Sequence, residues 1–436
     1  MSSPDSGPAS EPDGGGRFSR RRLLGAAGVS AAVVGAAGAG ALAGRASAAD
    51  PQAAMNAAVP FRGVRQAGIV TPAQDRMHFA TFDLTTDRRD DVIKMLREWT
   101  HMAERMTAGA QAARDGAVGL NPYSPPTDTG EALGLPASAL TLTIGFGPSF
   151  FGRDGKDPLG IAGRRPELLA DLPKFPNETM DPSQCGGDIC IQACANDPQV
   201  AVHAVRNLAR VGFGTAAVRW SQLGFGRTSS TSHAQQTPRN LFGFKDGTAN
   251  IMAEDTGVLD DQVWVRDGDG PDWLTGGSYL ITRRIRMRIE PWDRATLIEQ
   301  ERVIGRAKGS GAPLGRTDEF DALPLDLTGD DGEPVIDPLA HVRLASPEDN
   351  DGVQILRRGY NFTDGTDGFG HLDAGLFFIA FVRNPATQFI PMQTKLAKRD
   401  LLTEYIVHTG TGIFATPPGI PDGDPDAYWG STLLEG

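Results

Sequence analysis

The spacing of apolar residues predicts two successive runs of strands and helices. Every second residue from His78 to Leu84 falls on one face of a strand, and apolar residues recur at three and four positions from Val92 to Met106, which is typical of an amphipathic helix. Further elements are predicted as strands at 140–146, 187–195 and 215–223 and a helix at 198–211. The order β-α-β, β-α-β is that of a ferredoxin-like domain.

The same order of elements recurs in the second half, without a residue-level repeat. The predicted elements are strands at 278–289, near 353–362, at 375–383 and at 411–416, and helices at 294–306 and 387–406. The pattern therefore predicts an α+β fold of two ferredoxin-like domains, with their antiparallel sheets packed together as in a dimeric α+β barrel. A crevice is expected between the second sheet and its helices, and segment 307–340, rich in Gly, Pro and Asp, is expected to be an insertion over one face.

The first 48 residues have the pattern of a targeting segment. Ser19-Arg20-Arg21-Arg22-Leu23-Leu24 precedes a stretch of Ala, Gly and Val that ends at Ala46-Ser47-Ala48, which predicts a twin-arginine (Tat) export signal. The alternative is an N-terminal membrane anchor, although the many Gly and Ala residues make that stretch a poor span. The predicted divisions are a signal at 1–48, a linker at 49–60, an N-terminal domain at 61–226, a connecting segment at 227–277 and a C-terminal domain at 278–436.

The net charge of the chain limits the kinds of partner that it can bind. The formal charge is −12 over 436 residues, and the first 48 residues hold five Arg against three acidic residues, so the rest is more acidic than the whole. Because phosphate binding needs a basic face, we expect no nucleic-acid partner.

Cys185, Cys190 and Cys194 form no Cys-x-x-Cys pair. Cys190 and Cys194 are interpreted as core residues, and a Cys185–Cys190 disulfide is left open.

One stretch, 240–250, carries the strongest candidate for acid–base chemistry. It places Asp246 between two glycines, in a Gly-x-x-Asp-Gly pattern, and behind two phenylalanines. Glycines allow a sharp turn, and apolar rings shield the carboxylate from water, which marks a candidate proton handler. The alternative is an ordinary Asp-Gly turn. The sequence has no phosphate loop, dinucleotide fingerprint or nucleophile elbow.

A second set of candidates lies downstream. His341 follows a Pro-containing turn and stands two residues before Arg343, so it is a candidate ligand for a metal or for an acidic cofactor. Arg357 and Arg358 are adjacent on a predicted strand, so one of them faces a pocket and the other does not. Gly375–Phe381 is an apolar strand able to form a pocket wall.

Together these motifs resemble the dye-decolorizing peroxidases, and most of all their exported deferrochelatase/peroxidase branch. The resemblance spans about residue 60 to the C-terminus. In chain order it rests on the arginine signal, Arg65-Gln66-Ala67-Gly68-Ile69-Val70-Thr71-Pro72, Gly243-Phe244-Lys245-Asp246-Gly247-Thr248-Ala249-Asn250, His341-Val342-Arg343-Leu344-Ala345, Leu356-Arg357-Arg358-Gly359-Tyr360 and Asp373-Ala374-Gly375-Leu376-Phe377-Phe378.

The resemblance implies one haem b per chain, bound in the C-terminal half, with His341 as the iron ligand. It further implies that Glu404, or failing that Asp373, accepts the other ring N–H of His341. Asp246 would move the proton of hydrogen peroxide, and Arg357 would stabilise the charge that develops. Leu376 and Phe378 are the expected apolar wall, and Thr248, Asn250 and Arg343 are weaker candidates for the haem rim.

The implied activity is a haem peroxidase that uses hydrogen peroxide to oxidise dyes or other aromatic reductants through a ferryl intermediate. A first alternative is a deferrochelatase that removes iron from free haem and leaves the porphyrin intact. A second is a haem-binding or haem-delivery protein without turnover. The expected partners also include the Tat machinery and a second copy in a homo-oligomer, and the expected location is the periplasm, the cell surface or the medium.

Overall fold

The first half of the chain forms a four-stranded antiparallel sheet. The structure, a computed structural model, describes residues 51–119 and 121–436, and the predicted signal at 1–48 lies outside them. The elements of this half are α1 (Pro51–Asn56), β1 (Arg76–Leu84), α2 (Arg89–Thr107), β2 (Thr141–Phe146), β3 (Ile189–Ala195), α3 (Pro198–Gly212) and β4 (Ala216–Arg227). The strand order β4-β1-β3-β2 is ferredoxin-like. Apolar residues of α2, such as Leu96 and Trp99, pack against the sheet in one core.

The second half repeats this arrangement with more irregular connections. Its elements are α4 (Thr256–Gln262), β5 (Ser278–Met287), α5 (Ile289–Arg294), α6 (Leu297–Ile304), α7 (His341–Leu344), β6 (Leu356–Arg357), β7 (Tyr360–Thr366), β8 (Leu372–Val382), α8 (Phe389–Arg399), β9 (Ile406–Thr416) and α9 (Ser431–Leu434). The strand order is β7-β8-β5-β9, and β6 also pairs with β8. The predicted pair of ferredoxin-like halves is confirmed.

The two sheets join at both edges and close a barrel. Antiparallel pairing of β4 with β7 includes Phe225 opposite Asn361, and β2 meets β9 where Phe146 lies opposite Ala415. Since β5 pairs with both β8 and β9, the ring is complete. Aromatic side chains from both halves fill the interior, with the ring of Phe79 centred 5.3 Å from that of Phe377. Each half thus contributes one wall of a shared core.

Two predicted elements of the second half have different limits in the structure. The helix predicted to run to residue 406 ends at Arg399, because Asp400 has extended backbone angles (φ −70°, ψ 126°) and its side chain accepts a hydrogen bond from the N–H of Leu402. Strand β9 can therefore begin at Ile406. The strand predicted near 353–362 is two strands, β6 and β7.

Two further features concern the cysteines and the chain end. All three cysteines are free thiols, and Cys190 and Cys194 are buried in the core as predicted, so the disulfide that the sequence left open is absent. At the other end of the chain, Trp429 packs edge-on against Phe61, with ring centres 5.2 Å apart. No helix in the described part of the chain is both long and apolar enough to span a bilayer.

Candidate active site

A cavity of about 470 Å³ lies in the crevice between the second sheet and the segments that cover it. Most side chains of its sheet wall are apolar, and they include Ile285 and Met287 of β5 and Leu376 and Phe378 of β8. The covering side comes from α7, α8 and residues 319–323 of the insertion. Into this largely apolar space project a few polar side chains, and such a combination is typical of a ligand or active site. These polar side chains include Asp246, Arg306, Glu319, His341, Arg357 and Asp400.

His341 is held in one orientation by a buried carboxylate. Its Nδ1 lies 2.6 Å from Oδ2 of Asp400, whose side chain is only 3% exposed. The other carboxylate oxygen of Asp400 accepts the N–H of Leu402 at 2.8 Å, so the acid itself is fixed. A carboxylate beside Nδ1 places the ring proton there and leaves Nε2 as a lone-pair donor. Among the described residues none hydrogen bonds Nε2, and the ring lines the cavity.

The same carboxylate controls the basicity of the imidazole. Burial alone lowers the pKa of His341, but the negative charge of Asp400 and its hydrogen bond outweigh burial and hold the pKa above its ordinary value. Asp246 also raises the pKa of His341, and Arg357 lowers it, so both lie near enough to act on the ring. The imidazole is therefore more basic than an isolated histidine side chain.

The acceptor for His341 differs from the residue that the sequence suggested. Glu404 is exposed, and its backbone carbonyl accepts a hydrogen bond from Arg288. The fallback, Asp373, is bound to Arg284 at 2.9 Å. Both expectations rested on the resemblance to the family, and both were wrong because Asp400 occupies the position beside Nδ1. Within the helix predicted at 387–406, Asp400 would be one turn from Glu404, and it was not recognised as the residue that ends α8.

Asp246 and Arg357 form an ion pair in the cavity wall. Nη1 of Arg357 donates to Oδ1 of Asp246 at 2.8 Å, and the amide of Asn240 donates to Oδ2 at 3.2 Å. Both side chains are partly buried, with 15% of Asp246 and 25% of Arg357 exposed. Gly247 has φ +87°, and a Cβ there would lie 2.9 Å from Cα of Ser229. The turn thus needs glycine next to the acid, as its sequence indicated.

The choice between the two arginines follows from strand alternation. Arg357 lines the cavity, whereas Arg358 is fully buried and donates to the backbone carbonyl of Thr71 and to the side chain of Gln74. Adjacent residues on a strand point to opposite faces, so only Arg357 can reach Asp246. Arg358 instead ties the strand to the first half of the chain.

Of the remaining predicted site residues, some line the cavity and others bond to backbone groups outside its wall. Leu376, Phe378 and Thr248 line the cavity as expected. Asn250 does not line it. Its side chain donates to the carbonyl of Arg357 at 2.9 Å and accepts the N–H of the same residue at 2.7 Å. Arg343 is also absent from the cavity wall and donates to the carbonyl of Leu325. These two therefore hold the structure around the site.

Besides Asp400, the charged residues of the site that the sequence reading missed include Arg306, Glu319 and Lys245. Glu319 and Arg306 line the cavity, and Lys245 forms an ion pair with Glu319. Arg306 is 8% exposed and donates to backbone carbonyls of Gly311 and Glu319. Nothing in the local pattern around Glu319 distinguishes it from other acids of the insertion, whereas Lys245 stood within the Gly-x-x-Asp-Gly motif itself.

Both halves of the chain match models of one family. Residues 66–226 match the N-terminal region of Dyp-type peroxidases, and residues 237–421 match their C-terminal region. The chain belongs to the Dyp-type peroxidase family. The chain is therefore an enzyme of the haem peroxidase class.

Known members of the family are similar over most of their length. The dye-decolorizing peroxidase of Thermobifida fusca is 40% identical over 85% of this chain and 84% of the relative. The deferrochelatase of Escherichia coli K12 is 36% identical over 87% of this chain and 88% of the relative. The oxyferrous/water complex of DtpA from Streptomyces lividans superposes with a TM-score of 0.79 at 36% identity, and covers 88% of this peroxidase and 100% of that chain.

Haem b is the cofactor of this peroxidase, and the donor set of the cavity fits it. Within 51–119 and 121–436, no three His, Cys, Asp or Glu side chains are grouped to hold a bare metal ion. Holding a porphyrin iron requires fewer protein donors than a bare ion does, and the Nε2 of His341, to which no described residue hydrogen bonds, is a donor of a suitable kind. The apolar side chains of Leu376 and Phe378 suit the macrocycle, and Arg306 contributes a positive charge to the lining of the same cavity.

Asp400→Asn is expected to weaken haem binding by about 10- to 100-fold. An asparagine keeps the shape and can still accept the N–H of Leu402, but its amide group can donate to Nδ1 and so favours the tautomer that protonates Nε2. Titration of the haem-free protein with haem, followed at the Soret band, measures the change.

Glu404→Gln is the matched control for that substitution. Because Glu404 is exposed and does not contact His341, its affinity for haem should equal that of the wild type. If Glu404→Gln weakened binding as much as Asp400→Asn, the assignment of Asp400 as the residue that orients His341 would be wrong.

Proposed function

We propose that this haem peroxidase reduces hydrogen peroxide in the cavity and oxidises a dye or another aromatic reductant. The observation that carries the proposal is the ion pair between Asp246 and Arg357, placed in the wall of the same cavity that His341 lines. A proton acceptor, a fixed positive charge and a free imidazole nitrogen are the groups that heterolysis of a peroxide requires.

Three residues would hold the cofactor. His341 would ligate the iron through Nε2, Asp400 would keep that imidazole oriented and basic, and Arg306 would neutralise a propionate. When bound, the haem supplies the two electrons that break the O–O bond. The apolar side chains of the sheet wall exclude water from that side of the cavity.

Asp246 and Arg357 would handle proton and charge. The carboxylate of Asp246 takes the proton from the inner oxygen of hydrogen peroxide and delivers it to the outer oxygen, which leaves as water. The guanidinium of Arg357 stabilises the negative charge that develops on the outer oxygen before the proton arrives. Because Arg357 donates to Asp246 at 2.8 Å, the two groups lie close enough together to act on the same peroxide molecule.

Asp246→Asn is expected to slow the reaction with peroxide by about 10²- to 10⁴-fold, since asparagine cannot accept the proton. Arg357→Leu should slow it by about 10²- to 10³-fold through loss of charge stabilisation. Stopped-flow absorbance at the Soret band after mixing with peroxide gives the rate, and haem content should be unchanged in both variants.

Asp326→Asn provides a control of the same chemistry at an exposed position of the chain. It should react at the wild-type rate. Normal rates in both Asp246→Asn and Arg357→Leu would remove these residues from the mechanism.

A second candidate reaction is release of iron from haem with the porphyrin left intact. It is favoured by the similarity to the Escherichia coli protein, which is named a deferrochelatase. A third reading, haem binding without turnover, does not account for the Asp246–Arg357 pair, because a carrier requires a ligand such as His341 but no proton acceptor beside it.

One assay separates the candidate reactions. The haem-loaded protein is mixed with peroxide and an anthraquinone dye while dye absorbance and porphyrin fluorescence are recorded together. Our proposal predicts bleaching of the dye without a rise in fluorescence. A rise in fluorescence without bleaching would instead support the deferrochelatase, and neither signal would support the carrier.

We further propose that the protein is exported in the folded state by the Tat pathway, to the periplasm, the cell surface or the medium. The support is the run of arginines at 20–22, followed by a weakly apolar stretch and a small-residue site at 46–48. A route for folded proteins suits an enzyme that acquires its cofactor before export.

Replacement of Arg20, Arg21 and Arg22 by lysine is expected to abolish export while keeping the charge of the segment. Fractionation of cells that express the full chain measures where the protein accumulates. Continued export of the lysine variant would contradict the Tat assignment, and replacement of Arg17 alone serves as the control.

A further inference from the structure

The insertion at 307–340 contacts the Asp246 turn on both sides of the acid. From within this insertion, Glu319 forms an ion pair with Lys245, which immediately precedes Asp246. Its other carboxylate oxygen accepts a hydrogen bond from the hydroxyl of Thr248 at 3.0 Å. One side chain thus bonds residues on either side of the proposed proton handler.

Close packing reinforces these contacts. Gly311 lies so near the stem of Lys245 that a Cβ at this glycine would be 2.6 Å from Cδ of the lysine. Arg306 fixes the start of the insertion because its guanidinium donates to the carbonyls of Gly311 and Glu319 at 2.7 and 2.9 Å. Arg239, which precedes the turn in the chain, donates to the carbonyl of Lys308 at 2.7 Å. The insertion and the turn therefore form one interlocked unit.

Glu319 is also a buried charge. Only 10% of its side chain is exposed, compared with 25% for Lys245. Burial alone raises the pKa of Glu319, but hydrogen bonds from Lys245, Thr237 and Thr248 outweigh burial and hold the pKa below its ordinary value. The carboxylate is therefore kept ionised. A buried ion pair without one partner leaves an uncompensated charge, and here that charge would lie beside Asp246.

We propose that Glu319 is a positioning residue for the peroxide reaction, which holds the Asp246 turn in place and balances the charge of Lys245 next to it. This inference rests on the proposed role of Asp246. It assigns the insertion a function in the reaction itself, because removing Glu319 would free both flanks of the turn and change the electrostatic surroundings of the acid.

The charged groups around Asp246 come from several parts of the chain. Arg357 of β6 bonds to it directly, His341 of α7 lies within electrostatic range, and Lys245 belongs to the same turn. Glu319 comes from the insertion, and Arg306 lies near Arg357 in the cavity wall. Of these, the Lys245–Glu319 pair can be altered without touching the iron ligand or the guanidinium bound to Asp246.

The test compares two neutralising substitutions that change the local charge in opposite directions. In Glu319→Gln, the amide can still bond to Thr248, but Lys245 loses its counter-charge and stabilises ionised Asp246. The acid limb of the pH profile for the peroxide reaction should move down by about 0.5 to 1 pH unit. In Lys245→Met, the unpaired Glu319 should move it up by a similar amount, about 0.5 to 1 unit.

The double variant Lys245→Met, Glu319→Gln should return the acid limb to the wild-type position, because both charges are gone. A purely structural role would not give shifts of opposite sign that cancel. Shifts in the same direction, or unchanged profiles in both single variants, would overturn the proposal.

A second measurement reports on the mechanical part of the inference. Glu319→Ala removes both hydrogen bonds, so the exposed Arg316 nearby should be cleaved faster by trypsin in the haem-loaded protein. Glu319→Gln should be cleaved more slowly than Glu319→Ala. Equal rates in the wild type and Glu319→Ala would show that the contacts of Glu319 do not hold the insertion against the turn.

Glu333→Gln is the matched control, since Glu333 is an exposed glutamate of the same insertion. Its pH profile and cleavage rate should equal those of the wild type. Asp246→Asn, measured alongside, separates two failures. If it reacts normally, the proposed function is wrong. If it is slow while the Glu319 variants behave as wild type, only the present inference fails.

Discussion

The site depends on the 2.8 Å ion pair between Asp246 and Arg357, two residues that lie 111 positions apart in the chain. Arg357 belongs to a strand of only two residues, which is too short to fix a long side chain by ladder pairing alone. Asn250 supplies the missing constraint, because its side chain bonds both the N–H and the carbonyl of Arg357 as a neighbouring strand would. The turn that carries the acid therefore also holds the backbone of its partner.

Closure of the barrel makes this arrangement rigid. Strand β6 pairs with β8, which is itself bonded to β5 and β7 within the ring. On the other side of β6, the buried guanidinium of Arg358 bonds Thr71 and Gln74 from the first half. Two adjacent arginines thus serve different faces: one contributes charge to the cavity, and the other joins the halves. The first half, which contributes little to the cavity wall, still stabilises the position of the site.

Local patterns predicted most of the fold but not all of the site. Periodicity identified the two ferredoxin-like halves, since burying one face of each strand and helix leaves a repeating signal. Alternation likewise predicted that only one of Arg357 and Arg358 faces the cavity. Asp400 was missed because its role depends on where α8 ends, and helix ends are weakly marked in a sequence. Glu319 was missed because an ion pair across 74 residues leaves no local pattern.

Three buried or half-buried carboxylates in one cavity have different roles because their partners differ. Asp400 is 3% exposed and bonds an imidazole and a backbone N–H, so both its oxygens are committed to orientation. Glu319 is committed to a lysine and a hydroxyl. Asp246 is the most exposed of the three and bonds Arg357 and Asn240 through single contacts. A carboxylate that is partly open to the cavity, with a cation beside it, retains lone pairs for a substrate proton. Because all three residues carry the same chemical group, it is the surroundings of Asp246 that support the proposal that this residue transfers the proton.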